Sequence, residues 1–229
     1  MEKKYYVFKM NLIVLNVWAI IIAVIAAGIA YWLDSDLTLG CLVLFENVKT
    51  ALLVLPCMLG YMILHELLHA LGYIVNGADK KNITFGMDLE KSILYCLCKQ
   101  DVRRNNILKA AMYPLFYIGI VTFAISIIFK WPLLLLLSIM NISGAAGDIM
   151  YFIFISKLDK DIMFSELDDG TAFAILSEKD ISKIKYFGLE FVEKVDEIPR
   201  KDFERVKISK LSWLVIIISI ISALLYFFI

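Results

Sequence analysis

Long apolar runs separated by short charged stretches set the pattern of this chain. Residues 11–33 are apolar apart from Asn11 and Asn16, and residues 50–76, 108–129, 132–156 and 211–229 form four more such runs. Each is near the ~20 residues an α-helix needs to cross a bilayer. In lipid a segment must satisfy its own backbone polar groups, so all five are expected to be helices. The first run follows Lys3, Lys4 and Lys9. It is longer than the apolar core of a signal peptide and leads into YWLD with no cleavage site, so it reads as a retained transmembrane helix.

The polar intervals carry a weaker pattern. NITFGMDLEKSILYCLC, residues 82–98, alternates in stretches that can form a hairpin at the membrane surface. Its edge can hold an extended substrate by strand addition, or it can simply join two helices. Residues 157–210 are mixed in charge and small for an independent fold. They predict a hairpin over 161–177, turning at the DDG of residues 168–170, followed by helical segments in ISKIKYFGLEFVEKV. Substrate docking, regulation or packing on the core are all open roles for them. The expected fold is an all-α polytopic membrane protein with about five transmembrane helices and a small cytoplasmic α+β segment. Its divisions are a membrane domain at 1–156, the cytoplasmic segment at 157–210 and a last helix at 211–229.

Charge then orients the helices. Basic residues crowd the start (Lys3, Lys4, Lys9) and the interval holding Lys80, Lys81, Lys91, Lys99, Arg103, Arg104 and Lys109. The interval after the first run carries Asp34, Asp36 and Glu46 against Lys49, and the one between the third and fourth is nearly Lys130 alone. This alternation predicts a multi-pass cell-membrane protein with its N-terminus in the cytoplasm, residues 157–210 in the cytoplasm and the C-terminus outside. Composition agrees: 61% of the 229 residues are hydrophobic, and mean hydropathy is +0.78. The 23 basic and 23 acidic residues cancel, so nothing points to nucleic acid. Four cysteines make no disulfide framework, and Cys96 and Cys98 have no second pair to complete a metal site.

LHELLHA, residues 64–70, breaks the second apolar run with both of the chain's histidines, His65 and His69, and Glu66 beside the first. Four apart on a helix, the imidazoles share a face and can meet one metal ion. Neutral imidazole suits zinc, and Glu66 can take the proton of a water the metal activates. Ionisable groups inside a membrane helix are costly and mark function more often than packing. A catalytic zinc wants a third protein ligand. The one acidic residue deep inside another apolar run is Asp148, in NISGAAGDI. Counted at 1.5 Å per residue, the histidine pair lies about 15 Å and Asp148 about 12 Å from the inner ends of their helices. The small residues Ser143 to Gly147 allow close helix approach. The competing reading caps Asp148 with a neighbouring hydroxyl. Asn141, two turns earlier, can serve an oxyanion or substrate backbone, or act as interhelical glue.

HELLHA, the proline of AMYPLF at residues 111–116, and NISGAAGD together resemble the zincin-peptidase family of bacterial membrane proteins. That family is similar in turn to the site-2 proteases, which are intramembrane zinc metalloproteases. The resemblance covers about residues 50–156, a three-helix metalloprotease core. It implies zinc held by His65, His69 and Asp148, with Glu66 as general base. Site-2 proteases usually place Asn, Pro and Asp-Gly on the ligand helix; here no proline follows Asn141 and Ile149 follows Asp148. The expected function is a membrane-embedded zinc metallopeptidase acting on a membrane protein or peptide in or near the lipid bilayer. The alternative is a non-catalytic scaffold, or a metal-binding transport protein, derived from such a peptidase.

Overall fold

The computed structural model describes residues 3–46, 48–88, 93–167 and 171–198, together with Ile218 and Ile221. The chain is a mixed α/β protein with two sheets, and 19% of it is strand. This overturns the all-α expectation. In order, the elements are β1 (Lys4–Met10), α1 (Leu12–Leu33), α2 (Ser35–Val43), α3 (Val48–Val75), β2 (Ile83–Asp88), β3 (Ile93–Cys98), β4 (Val102–Arg103), α4 (Arg104–Pro114), a π-helical segment (Leu115–Val121) and α5 (Thr122–Phe129). They continue with α6 (Pro132–Gly144), α7 (Ala146–Ser156), β5 (Met163–Glu166), β6 (Ala172–Ser177) and β7 (Leu189–Val195).

Three helical stretches are long and apolar enough to cross a membrane: Leu12–Leu33, Thr50–Val75 and Arg104–Phe129. The pair α6–α7, bent by 41°, makes a fourth if it counts as one span. The described residues therefore offer three spans, or four, where about five were expected. The helix expected at 211–229 lies almost wholly outside the described residues. α1 shows what makes these helices candidate spans. Apart from Asn16 its side chains are apolar on every face, and Ile20, Val24, Ile25 and Ile29 are exposed.

Contacts divide the chain into two units. The first comprises Met1–Val17, Glu66–Tyr113 and Gly147–Val206. Its centre is a five-stranded antiparallel sheet in the order β4-β5-β6-β1-β7. Alternation along β1 sends Tyr6 and Phe8 to one face, where Phe8 meets Phe154 of α7 at 5.1 Å between ring centroids and Phe173 of β6 at 5.7 Å. Tyr151 adds an edge contact to Phe173 at 4.8 Å. Each such ring contributes roughly 1.5–3 kcal/mol by leaving water, so this aromatic layer is the unit's main core.

The sheet explains what the helical expectation missed. β1 is KYYVFKM, rich in residues that favour strands, but its lysines read as a topological signal. The hairpin over 161–177 is present as β5 and β6, with Met163 opposite Leu176; its DDG turn lies outside the described residues. The helical reading of ISKIKYFGLEFVEKV is wrong. Residues 181–188 are turns, and β7 runs antiparallel to β1, Leu189 opposite Met10. The residues 82–98 hairpin forms β2 and β3, Ile83 opposite Cys98.

The second unit comprises Trp18–His65, Pro114–Ala146 and Lys207–Ile229. Leu133, Leu137, Val54, Cys57 and Leu44 form one buried cluster, and Ala30, Leu37, Cys41 and Leu135 another. Asp34 caps α2 by accepting from Leu37 N at 3.0 Å and pairs with Lys130. That pairing and the cap hold its carboxyl below the usual carboxylate range. All four cysteines are buried thiols.

Candidate metal centre

α3 carries the two histidines through its length without a break. Its end is fixed by Gly77, whose φ of 95° suits the left-handed turn after a helix. Gly72 governs a closer approach. A Cβ there would stand 2.9 Å from Ala110 Cα, so only glycine lets α3 and α4 lie this near. The Ala110 carbonyl consequently reaches the His69 ring, 3.2 Å from Nδ1. Pro114 makes that carbonyl accessible. In a helix Ala110 O would accept from the N–H four residues on, which proline lacks.

His65 is held in a matching way. Its Nδ1 lies 2.8 Å from Asn141 Oδ1, and Asn141 Nδ2 donates to Pro114 O at 3.1 Å. Both imidazoles thus donate Nδ1–H to a carbonyl oxygen, which selects one tautomer and assigns coordination to Nε2. The π segment that follows Pro114 has a further partner in Tyr61, whose hydroxyl donates to Ile118 O at 2.8 Å. Such π segments within α-helices are frequent at functional sites.

Asp148 comes from the first turn of α7, beyond the break that follows Gly144. A carboxylate in a first turn is favoured by the helix dipole. Its Oδ1 lies 3.3 Å from His69 Nε2, with 12% of the histidine and 15% of the aspartate side chain exposed. The donor atoms of His65, His69 and Asp148 all lie within 4.8 Å of one another, a group that could hold a metal ion. Two ligands each about 2.0–2.1 Å from a tetrahedral zinc stand about 3.4 Å apart, so the His69–Asp148 spacing fits that metal. Two neutral imidazoles and one carboxylate are a donor set suited to it.

Glu66 follows His65 on the same turn and acts electrostatically on His69, Cys96 and Glu166. Glu166 is a residue the sequence reading missed. It accepts from Tyr73 OH at 2.8 Å and from the Cys98 backbone N–H at 2.6 Å, tying β5 to α3 and β3. Burial lifts its carboxyl to about 7, against the pull of those two hydrogen bonds. The available signal was alternation: Glu166 shares a strand face with the buried Phe164. Burial and nearby Glu166 also push the Cys96 thiol far above its usual range, so it stays a neutral S–H. Asp168 and Asp169, the acidic pair of the DDG turn, lie outside the described residues.

Residues 58–163 match the model of the family described as "Putative zincin peptidase". No curated protein and no solved structure gives a significant match. The zincin match begins within α3, takes in HELLH and the ligand helices, and stops at the first residue of β5. It covers every residue of the candidate centre except Glu166. The zincin description points to a zinc peptidase, and zinc is the metal it implies.

Proposed function

We propose that the protein is a membrane-embedded zinc metallopeptidase that hydrolyses a peptide bond in or near the bilayer, in the manner of the site-2 proteases. The observation that carries this is the convergence of His65, His69 and Asp148 with both histidine Nδ1 atoms engaged by carbonyl oxygens. His65, His69 and Asp148 hold the metal. Bound zinc supplies Lewis-acid chemistry, lowering the pKa of water and polarising a carbonyl. Glu66 takes the proton of the attacking water and delivers it to the leaving amine. Asn141 and the Ala110 carbonyl keep the two rings aimed. The substrate on this reading is a membrane protein or peptide, and the alternation of basic intervals supports a cytoplasmic N-terminus.

The test is metal content and peptide cleavage by the purified chain in lipid nanodiscs. About one zinc per chain is expected, lost in Asp148→Ala. Glu66→Ala should keep its zinc and lose roughly 10²–10⁴ of the cleavage rate, the usual contribution of a general base. Full activity in Glu66→Ala overturns the mechanism. Wild type without metal after zinc-replete purification favours a non-catalytic scaffold.

A further inference from the structure

Residues 181–188 lie between two helix ends. Gly188 O accepts from Asn11 N at 2.9 Å, just ahead of α1. A Cβ on Gly188 would stand 2.9 Å from Val14 Cγ1, in the first turn of that helix. The Tyr186 ring lies 5.6 Å from that of Phe154 near the end of α7, and Lys157 Nζ sits 5.1 Å over the same ring. The loop is therefore pinned level with the start of one candidate span and the end of another.

At that level it presents an unusual set of side chains. Phe187 is 68% and Ile184 41% exposed, and Lys183 and Lys185 flank Ile184, both exposed. An apolar side chain this open is costly in water, whereas at the headgroup boundary it is stabilised. Lysines beside it complement anionic lipid. The same first turn of α1 carries Ile13, 77% exposed, a second open apolar side chain at the end of that helix.

We propose that residues 181–188 form an interfacial anchor. Ile184 and Phe187 enter the headgroup–acyl boundary of the leaflet that receives the start of α1, and Lys183 and Lys185 engage anionic headgroups. The anchor holds the five-stranded sheet against the membrane through β7, the strand that continues from the loop. It rests on reading Leu12–Leu33 as a membrane span, and the experiment separates the two.

A nitroxide is attached to Phe187→Cys, Ile20→Cys and Lys179→Cys in full-length protein in nanodiscs containing phosphatidylglycerol. The four native cysteines are buried, and labelled wild type supplies the background. Power saturation compares access to oxygen, enriched in lipid, with access to a water-soluble nickel complex. Label at residue 20 should favour oxygen, label at residue 179 nickel, and label at residue 187 oxygen at a shallower depth than residue 20. Replacing Lys183 and Lys185 by serine should move label 187 outward in anionic but not in neutral nanodiscs. Nickel-dominated access at 187 with oxygen at 20 overturns the anchor alone. Shielding of 187 from both reagents shows a protein partner instead, and also overturns it. Nickel access at both 20 and 187 removes the span and the anchor together.

Discussion

Replacing Asn141 by leucine tests how the metal centre is aimed. The side chain is 6% exposed and makes two hydrogen bonds, from His65 Nδ1 at 2.8 Å and to Pro114 O at 3.1 Å. Leucine keeps the volume and removes both. A metal-bound histidine that loses the partner of its second nitrogen typically costs 10–100-fold in affinity, which is about 1.4–2.7 kcal/mol. That agrees with the ~1–3 kcal/mol cost of leaving a buried polar group unpaired. Asn141→Asp separates the two bonds, since it keeps the acceptor for His65 and removes the donor to Pro114. Zinc affinity of chelator-stripped protein in nanodiscs, read by competition with a chromophoric chelator, should fall 10–100-fold in Asn141→Leu and by much less in Asn141→Asp. Wild-type affinity in Asn141→Leu would refute the aiming role. If cleavage were nonetheless lost in that variant, Asn141 would belong to the oxyanion or the substrate instead. Equal losses in both variants would place the effect in the Pro114 bond.

Pro114→Ala restores an N–H that competes for Ala110 O, so zinc binding should weaken by up to about tenfold, read in the same competition assay. Gly72→Ala forces a Cβ to within 2.9 Å of Ala110 Cα; it should lower unfolding stability by about 1–3 kcal/mol, the usual cost of overpacking, measured by denaturant titration. Glu166 has its folded pKa raised to about 7, so stability is fully present below the unfolded value and is lost as pH rises to about 7. Metal-free wild type should be less stable at pH 8 than at pH 5 by on the order of 3 kcal/mol from this group. Glu166→Gln should flatten that difference, and an unchanged difference would assign it to other groups.

The apolar runs and the His65–His69–Asp148 group were legible in the sequence for one physical reason. Ionisable side chains inside apolar helices have few reasons to exist, so His65, Glu66, His69 and Asp148 stand out against their surroundings. Helical rise alone put the histidine pair and Asp148 at like depth. The second layer of the centre was hidden because it is made of backbone. Ala110 O acquires its role from a proline four residues later and a glycine on another helix, and neither residue type names that partner. Glu166 reads as an ordinary polar strand residue until β3 and α3 are placed beside it. The sheet itself was obscured by its long-range pairing, since β1 finds both partners more than 150 residues away. Local pattern therefore recovered the β5–β6 hairpin, whose strands are neighbours, and misread β7, which has none nearby.

That placement of β1 bears on how the chain is made. The strand leaves the ribosome before its partners β6 and β7, which follow only after the intervening helices. At ~5–20 residues per second, β7 is complete roughly 10–40 s after β1. For that interval KYYVFKM has two open edges and no sheet, the condition under which strands pair with the wrong neighbour. The sheet thus closes only after the helices between its strands have been made, and until then the newborn chain depends on something other than this sheet to keep the seven-residue β1 single.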